Sequence, residues 1–189
     1  IILDLLFPRR CPVCGQIVMP KGSLICPGCV KKLSWVRGPV CKCCGKEIIS
    51  GTMEYCPDCA AHPRSFSHGM ALFNYNEISA PSLAMVKYHD RREYLDFYAE
   101  AAYRRYAKTI ARLSPDLIIP VPVHKSRLKK RGFNQAEEFG KRLSGYLGIP
   151  MSSEYLIRSK KTAPQKDLGP ALRLKNLEQA FFCKKLPSG

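Results

Sequence analysis

Acidic side chains are scarce: fifteen Asp and Glu stand against thirty-one Lys and Arg, giving a formal charge of +16 at neutral pH. A surplus of that size draws anionic partners, although charge alone does not separate nucleic acid from any other anion. Long apolar runs are missing too. None approaches the roughly twenty residues that cross a membrane. No charged, apolar, small-residue leader opens these residues, so a disulfide framework, which needs an oxidising compartment, is not expected. The expectation is a cytoplasmic chain with reduced thiols. Ile1–Phe7 is apolar but short, a segment that would pack on its own domain or on a partner.

Cysteine, by contrast, is abundant and ordered. Four CxxC pairs, Cys11/Cys14, Cys26/Cys29, Cys41/Cys44 and Cys56/Cys59, recur every fifteen positions. Two residues between cysteines let both sulfurs of a tight turn face one tetrahedral ion. Glycine follows the first and third pairs (Gly15, Gly45), whereas proline sits inside the second and fourth (Pro27, Pro57). The larger repeat is therefore thirty residues long. It predicts two sequential zinc ribbons, with Cys11, Cys14, Cys26 and Cys29 on one ion and Cys41, Cys44, Cys56 and Cys59 on the other. An interleaved arrangement, in which the first and fourth pairs share an ion, is the alternative. Within each copy the span between knuckles reads as a hairpin, with Gly22 and Gly51 near the turn and Leu24, Ile25, Met53 and Tyr55 leading into the next pair. Cys43 falls off the lattice as a bystander, and Cys183 reads as a small core residue. His62 could substitute as a ligand, but the lattice already completes two sites. So small a module buries too little surface to fold unaided, so both zinc ions would be structural, not catalytic.

The end of the knuckles and His62–Pro63 mark a boundary, giving a double zinc ribbon over 1–62 and a second domain over 63–189. Eight thiolates and two zinc ions together contribute −4, leaving about +12 on the loaded protein. Residues 1–60 hold eight Lys/Arg and four Asp/Glu, so with zinc they are near neutral; the remainder hold twenty-three against eleven. The polyanion-seeking surface belongs to the rear, and the zinc module reads as a docking or scaffolding piece.

Met70–Tyr75 reads as a strand, and helices are expected from Ser79 to about His89 and from Arg92 to Arg112. In the latter, aromatics alternate with arginines, which suits single-stranded nucleic acid. Leu95, Tyr98, Ala102 and Tyr106 nevertheless share one helical face and are assigned to the core, leaving Arg91, Arg92, Arg104, Arg105 and Lys108 to solvent.

The chemistry-bearing stretch starts at Asp116. DLIIPVPV (116–123) is a continuous apolar run, the pattern of a buried parallel strand. HKSRLKKRG follows as a basic loop with five cations in nine residues. Asn134 then caps a helix, with Glu137 placed to complete a capping box and Ala136, Phe139, Leu143 and Leu147 marking its buried face. Strand ends and helix starts both attract anions in an open α/β sheet. That makes Lys125, Arg127, Lys129, Lys130, Arg131, Gly132, Asn134 and Gln135 candidates for phosphate, pyrophosphate or DNA. A second segment, Arg158–Asn176, reads as a nineteen-residue loop of the kind that forms lids. It carries Arg158, Lys160, Lys161, Lys166, Arg173 and Lys175 against a single Asp167. Ala180–Cys183 is a candidate strand start.

IIPVPVHKSRLKKRGFNQAEEF, then R-x-K-x-T-x-x-Q (Arg158, Lys160, Thr162, Gln165) and R-x-x-N-x-x-x-A-F (Arg173, Asn176, Ala180, Phe181), resembles the competence protein F (ComF) family over nearly the whole chain. The resemblance implies an α/β fold: a double zinc ribbon followed by a type I phosphoribosyltransferase-like domain with a Rossmann-like parallel sheet. It implies a role in DNA uptake during natural transformation, single-stranded DNA binding, and work at the inner face of the membrane beside a DEAD-box-like translocase ATPase. It places Pro120–Val123 and Arg131–Gln135 at the pyrophosphate-side loop and makes Arg158–Asn176 a mobile hood. In a working transferase, Thr162, Gln165 and Arg173 would help close over the pyrophosphate of phosphoribosyl pyrophosphate, with Mg²⁺ held through phosphates and water. The chain departs from the pattern in one respect. The strand ending in two acidic residues, followed by Thr-Thr-Gly, would come after Ala180–Cys183, and these residues stop at Gly189 without it. The expectation is a longer natural chain, with the second domain incomplete here and transferase activity unassigned.

Overall fold

The computed structural model describes residues 7–162 and 168–185. By compactness the chain divides into Ile1–Lys108 and Thr109–Gly189. The first unit extends well past the last knuckle, because the residues after it pack back onto the ribbons.

In the first unit the thirty-residue repeat is reproduced in the backbone. Each glycine-type knuckle is a turn closed by a single antiparallel bridge, Arg10↔Ile17 in one copy and Val40↔Glu47 in the other. Cys11 N donates to the carbonyl of Gln16 at 2.7 Å, and Cys41 N to that of Lys46 at 2.8 Å. Gly15 and Gly45 both sit at φ +71°, which a side chain would resist. Each proline-type knuckle opens a short helix, α1 (Pro27–Lys32) and α2 (Pro57–Ala61), with Cys26 and Cys56 at the N-cap positions. Proline in the first turn loses no helical hydrogen bond and supplies the right φ, so the P in CPxC builds the helix start. The hairpin expected in the intervening spans lies instead across the first knuckle of each copy, and the spans themselves are turns.

Residues 34–36, between the two ribbons, pair antiparallel with 72–74: Asn74 N donates to Ser34 O at 2.8 Å and Val36 N to Leu72 O at 3.3 Å. Trp35 and Phe73 meet there, ring centroids 4.4 Å apart. Asn76 accepts from the N–H groups of Ile78 and Ser79 and so starts α3 (Ser79–Tyr88). α4 (Tyr94–Leu113) buries Tyr94, Leu95, Phe97, Tyr98, Ala99 and Ala101. Phe97 and Tyr98 extend the aromatic cluster at 6.2 and 5.8 Å from Phe73. The expected core stripe holds at Leu95 and Tyr98, whereas Ala102 and Tyr106 are half-buried.

In the second unit, Ile118 makes a parallel bridge to Met151, with Ile118 N donating to Pro150 O and Ser152 N to Ile118 O. The continuous buried strand expected over 116–123 is thus reduced to a short paired stretch, and Val121 is 56% exposed. Pro120 and Pro122 have no N–H to give a ladder, which is why pairing stops there. The basic stretch expected as a loop is a helix, α5 (Lys125–Arg131). His124 caps it by accepting from Ser126 N, and Gly132, left-handed at φ +83°, ends it. α6 (Gln135–Leu147) begins at Asn134, whose side chain accepts from Ala136 N, and ends at left-handed Gly148. Glu137 pairs with Lys141 rather than returning to the cap. α6 meets the Ile118–Met151 bridge through Gly140, where a Cβ would stand 2.8 Å from the Met151 sulfur.

β1 (Leu156–Arg158) and β2 (Phe181–Cys183) form an antiparallel pair in the register Leu156↔Cys183 and Arg158↔Phe181. Between them, α7 (Pro170–Leu177) occupies the end of the segment expected to be a structureless loop. Cys183 is exposed at the end of β2, contrary to its assignment to a core. The architecture is α/β with a double zinc ribbon in front.

Candidate metal centres and anion site

The cysteine lattice converges on two points. The sulfurs of Cys11, Cys14, Cys26 and Cys29 all lie within 4.8 Å of one another, as do those of Cys41, Cys44, Cys56 and Cys59. The pairing is sequential, not interleaved. Sulfurs 2.3 Å from a tetrahedral zinc ion stand about 3.8 Å apart, and Cys44 Sγ to Cys56 Sγ is 3.8 Å. His62 belongs to neither set; its ring faces Asp58.

The electrostatics of each tetrad call for a cation. Burial works against a charge on Cys11, but N–H groups of Cys14, Cys26 and Val13 donate toward its sulfur and bring it down to about 7. Cys41 is brought down to about 6 against burial in the same way, by N–H groups of Cys56, Cys44 and Cys43. The last cysteine of each set moves oppositely. Burial and the neighbouring Cys14 and Cys11 push Cys29 up to about 12, and burial followed by Cys44 and Cys56 raises Cys59. One thiolate is stabilised and a full set of four is not, unless a divalent ion joins them. The residues fit structural zinc, which when bound would tie a turn to a helix start in each ribbon.

The two centres differ in cover. Cys14 is exposed and Cys26 half-buried, whereas in the second centre only Cys44 is not fully buried. Residue Gly69 crosses the glycine-type knuckle of the second ribbon, donating from N to Cys43 O at 2.6 Å. Cys43, expected as a bystander, packs against the second cluster.

In the second unit, part of the predicted anion set comes together. Arg158, at the end of β1, donates to the Thr162 hydroxyl, and Arg127 on α5 reaches the Thr162 carbonyl at 3.5 Å. Burial first, and the positive charge of Arg127 second, weaken the hold of Arg158 on its proton. Its Nε is buried and has no hydrogen-bond partner among the described residues, an unmet donor that an anion would satisfy. Phe181 lies under the guanidinium at 5.3 Å. No sequence pattern announced that contact, because it depends on the β1–β2 register. Arg131 donates to Gln135 across Gly132. Asn134 is buried and holds the strand end to the helix start, donating to Val121 O at 3.1 Å while capping α6. Lys125, Lys129 and Lys130 are exposed on α5. Gln165 and the side chain of Arg173 lie outside the described residues.

A double zinc ribbon domain matches residues 2–60. Competence protein F of Haemophilus influenzae is 31% identical over 179 residues, 93% of this chain and 76% of that one. The chain belongs to the competence protein F family. Within it, the chain is 26% identical to the DNA utilization protein YhgH of Escherichia coli K12, covering 92% of this chain and 77% of that one. It is 25% identical to competence protein ComFC of Bacillus subtilis over 150 residues, 73% and 60% of the two chains. No solved structure matches. Among the described residues no helix is long and apolar enough to cross a membrane.

Proposed function

We propose that the chain serves DNA uptake in natural transformation, holding single-stranded DNA through the second unit while the zinc-ribbon unit docks a DNA translocase ATPase. Its place would be the cytoplasmic side, at the inner face of the membrane. Membership of the competence protein F family supports the process. The observation that carries the binding role is the convergence of Arg127 and Arg158 on Thr162, with a buried guanidinium N–H left over for an anion. In this reading Arg127 and Arg158 grip one phosphate, and Lys125, Lys129, Lys130 and Arg131 follow the backbone on either side. The family motif assigns Gln165 and Arg173 the same binding role.

The test is the salt dependence of single-strand affinity. Each phosphate neutralised adds about 0.7 to the slope of log affinity against log salt. Replacing Lys125, Lys129 and Lys130 together with glutamine is expected to lower the slope by about 2. A flat salt response in the unaltered chain would remove this reading.

One feature favours a second reading. Two guanidiniums on one threonine, Arg158 at its hydroxyl and Arg127 at its carbonyl, make a compact cradle that suits a diphosphate better than an extended strand. The domain would then be a phosphoribosyltransferase-like one that takes phosphoribosyl pyrophosphate with Mg²⁺. Saturable binding of that compound, displaced by inorganic pyrophosphate and weakened by Arg158→Lys, would distinguish it from a fold used for DNA alone.

A further inference from the structure

Within the first unit, the span after the first knuckle, helix α1 and the middle of α4 border a groove of about 660 Å³. Its floor is apolar: Leu24, Ile25, Val30, Trp35, Phe97 and Ala101. Its edge is cationic. Arg104 and Arg105 line it from α4, and beyond the lining Lys31 and Lys32 follow Val30 on α1 and are exposed. Glu100 is the single acidic lining residue, and it is already paired with Arg104. That Arg104 side chain remains 76% exposed.

Chemistry separates the possible occupants. A nucleobase needs a free aromatic face on which to stack. Both rings here are already engaged: Trp35 packs against Phe73 with its Nε1 donating to Val30 O, and Phe97 is 7% exposed. An apolar floor flanked by arginine complements apolar side chains with carboxylates beside them. The volume lies within the range of about 300–1,000 Å³ that encloses a drug-sized ligand, enough for the anchor residues of a short helix.

We propose that this groove docks an amphipathic segment of a partner protein, apolar anchors at helical spacing flanked by Asp or Glu. The proposal deepens the docking role given to the zinc-ribbon unit and rests on it. It names the surface, between the first ribbon and α4, and the sign of the partner.

The experiment is selection from a random twelve-residue peptide library against the zinc-loaded full chain, repeated with Val30→Glu and Arg104→Glu. Zinc content and circular dichroism of each variant are measured alongside. The expected result is enrichment of peptides with leucine, isoleucine or phenylalanine at helical spacing beside acidic residues. Their affinity should fall at least tenfold with either variant and stay unaffected by excess oligo-dT. Peptides that bind equally well to both variants would overturn the groove while leaving docking by this unit standing. Failure to enrich any peptide would overturn both. Displacement by oligo-dT would reassign the groove to nucleic acid. Should Val30→Glu lose zinc, the exposed Arg104→Glu alone decides, because the partner of its side chain is Glu100 on the same helix.

Discussion

Gly69 is joined to Cys43 backbone to backbone at 2.6 Å, so close that a Cβ on Gly69 would stand 2.8 Å from the Cα of Cys44. The glycine-type knuckle of the second ribbon is thus covered by chain, and that of the first, where a Cβ on Gly15 would meet nothing within 4 Å, is not.

Gly15 and Gly45 make a controlled pair for that difference. Both are left-handed at φ +71°, so alanine costs either one about 1–2 kcal/mol of backbone strain. Only Gly45→Ala also drives a methyl into Gly69. Thermal unfolding should show Gly45→Ala worse than Gly15→Ala by a further 1–3 kcal/mol or so. Equal losses would mean that the crossing is looser than described.

Unequal cover also predicts unequal zinc exchange. With Cys14 exposed and Cys26 half-buried, the first ion should pass to a chelator before the second. Two phases of one ion each are expected, and Cys14→Ser should delete the faster. Both should quicken as the pH falls, because protons compete with zinc for sulfur. A single phase carrying two ions would count against the asymmetry.

At the anion site, Thr162→Val removes the hydroxyl that Arg158 donates to, and Arg158→Lys removes the forked donor. A hydrogen bond to a charged group is worth roughly 1.5–3 kcal/mol, so each change should weaken pyrophosphate or single-strand binding on the order of 10-fold or more. Far-ultraviolet circular dichroism should be unchanged. Undiminished affinity for both anions would place the site elsewhere.

Glu138 gives the second unit an acid-sensitive element. Burial raises its pKa, but hydrogen bonds and charge from Arg142 and Lys141 outweigh it and hold the carboxyl below its usual range. A lowered folded value means that the stabilisation is complete above the unfolded carboxyl's pKa of about 4.3. It is then lost as the pH falls from there through the folded value. Glu138→Gln should therefore lower the melting temperature of this unit at pH 7 and leave it nearly unaltered near pH 3. A deficit that persisted at pH 3 would show that packing, not charge, is responsible.

The metal centres were legible because their signal is local. Spacing brings the two sulfurs of each pair to one ion, and the alternation of glycine and proline beside the pairs pointed to the sequential sharing that the structure shows. Asn134 announced its cap for the same reason. What escaped depended on distant partners. The basic stretch 125–131 reads as a loop by charge alone, and it is a helix because His124 and Gly132 close its ends. The pairing of Arg158 with Phe181 joins residues with no common pattern. The groove beside Trp35 needed the return of 72–74 to the stretch between the ribbons, which no periodicity foretells.

That return has a structural corollary. Val36 and Leu72 are hydrogen-bonded neighbours, so everything from 37 to 71 is an excursion whose two ends are fastened together at its root. The excursion is also tied to the rest of the unit by side chains, Glu47 accepting from Asn74 and the Ala71 carbonyl from the Tyr106 hydroxyl. A turn of a few residues grafted from 36 to 72 should yield a smaller, one-zinc protein whose Trp35 fluorescence still reports an intact seat.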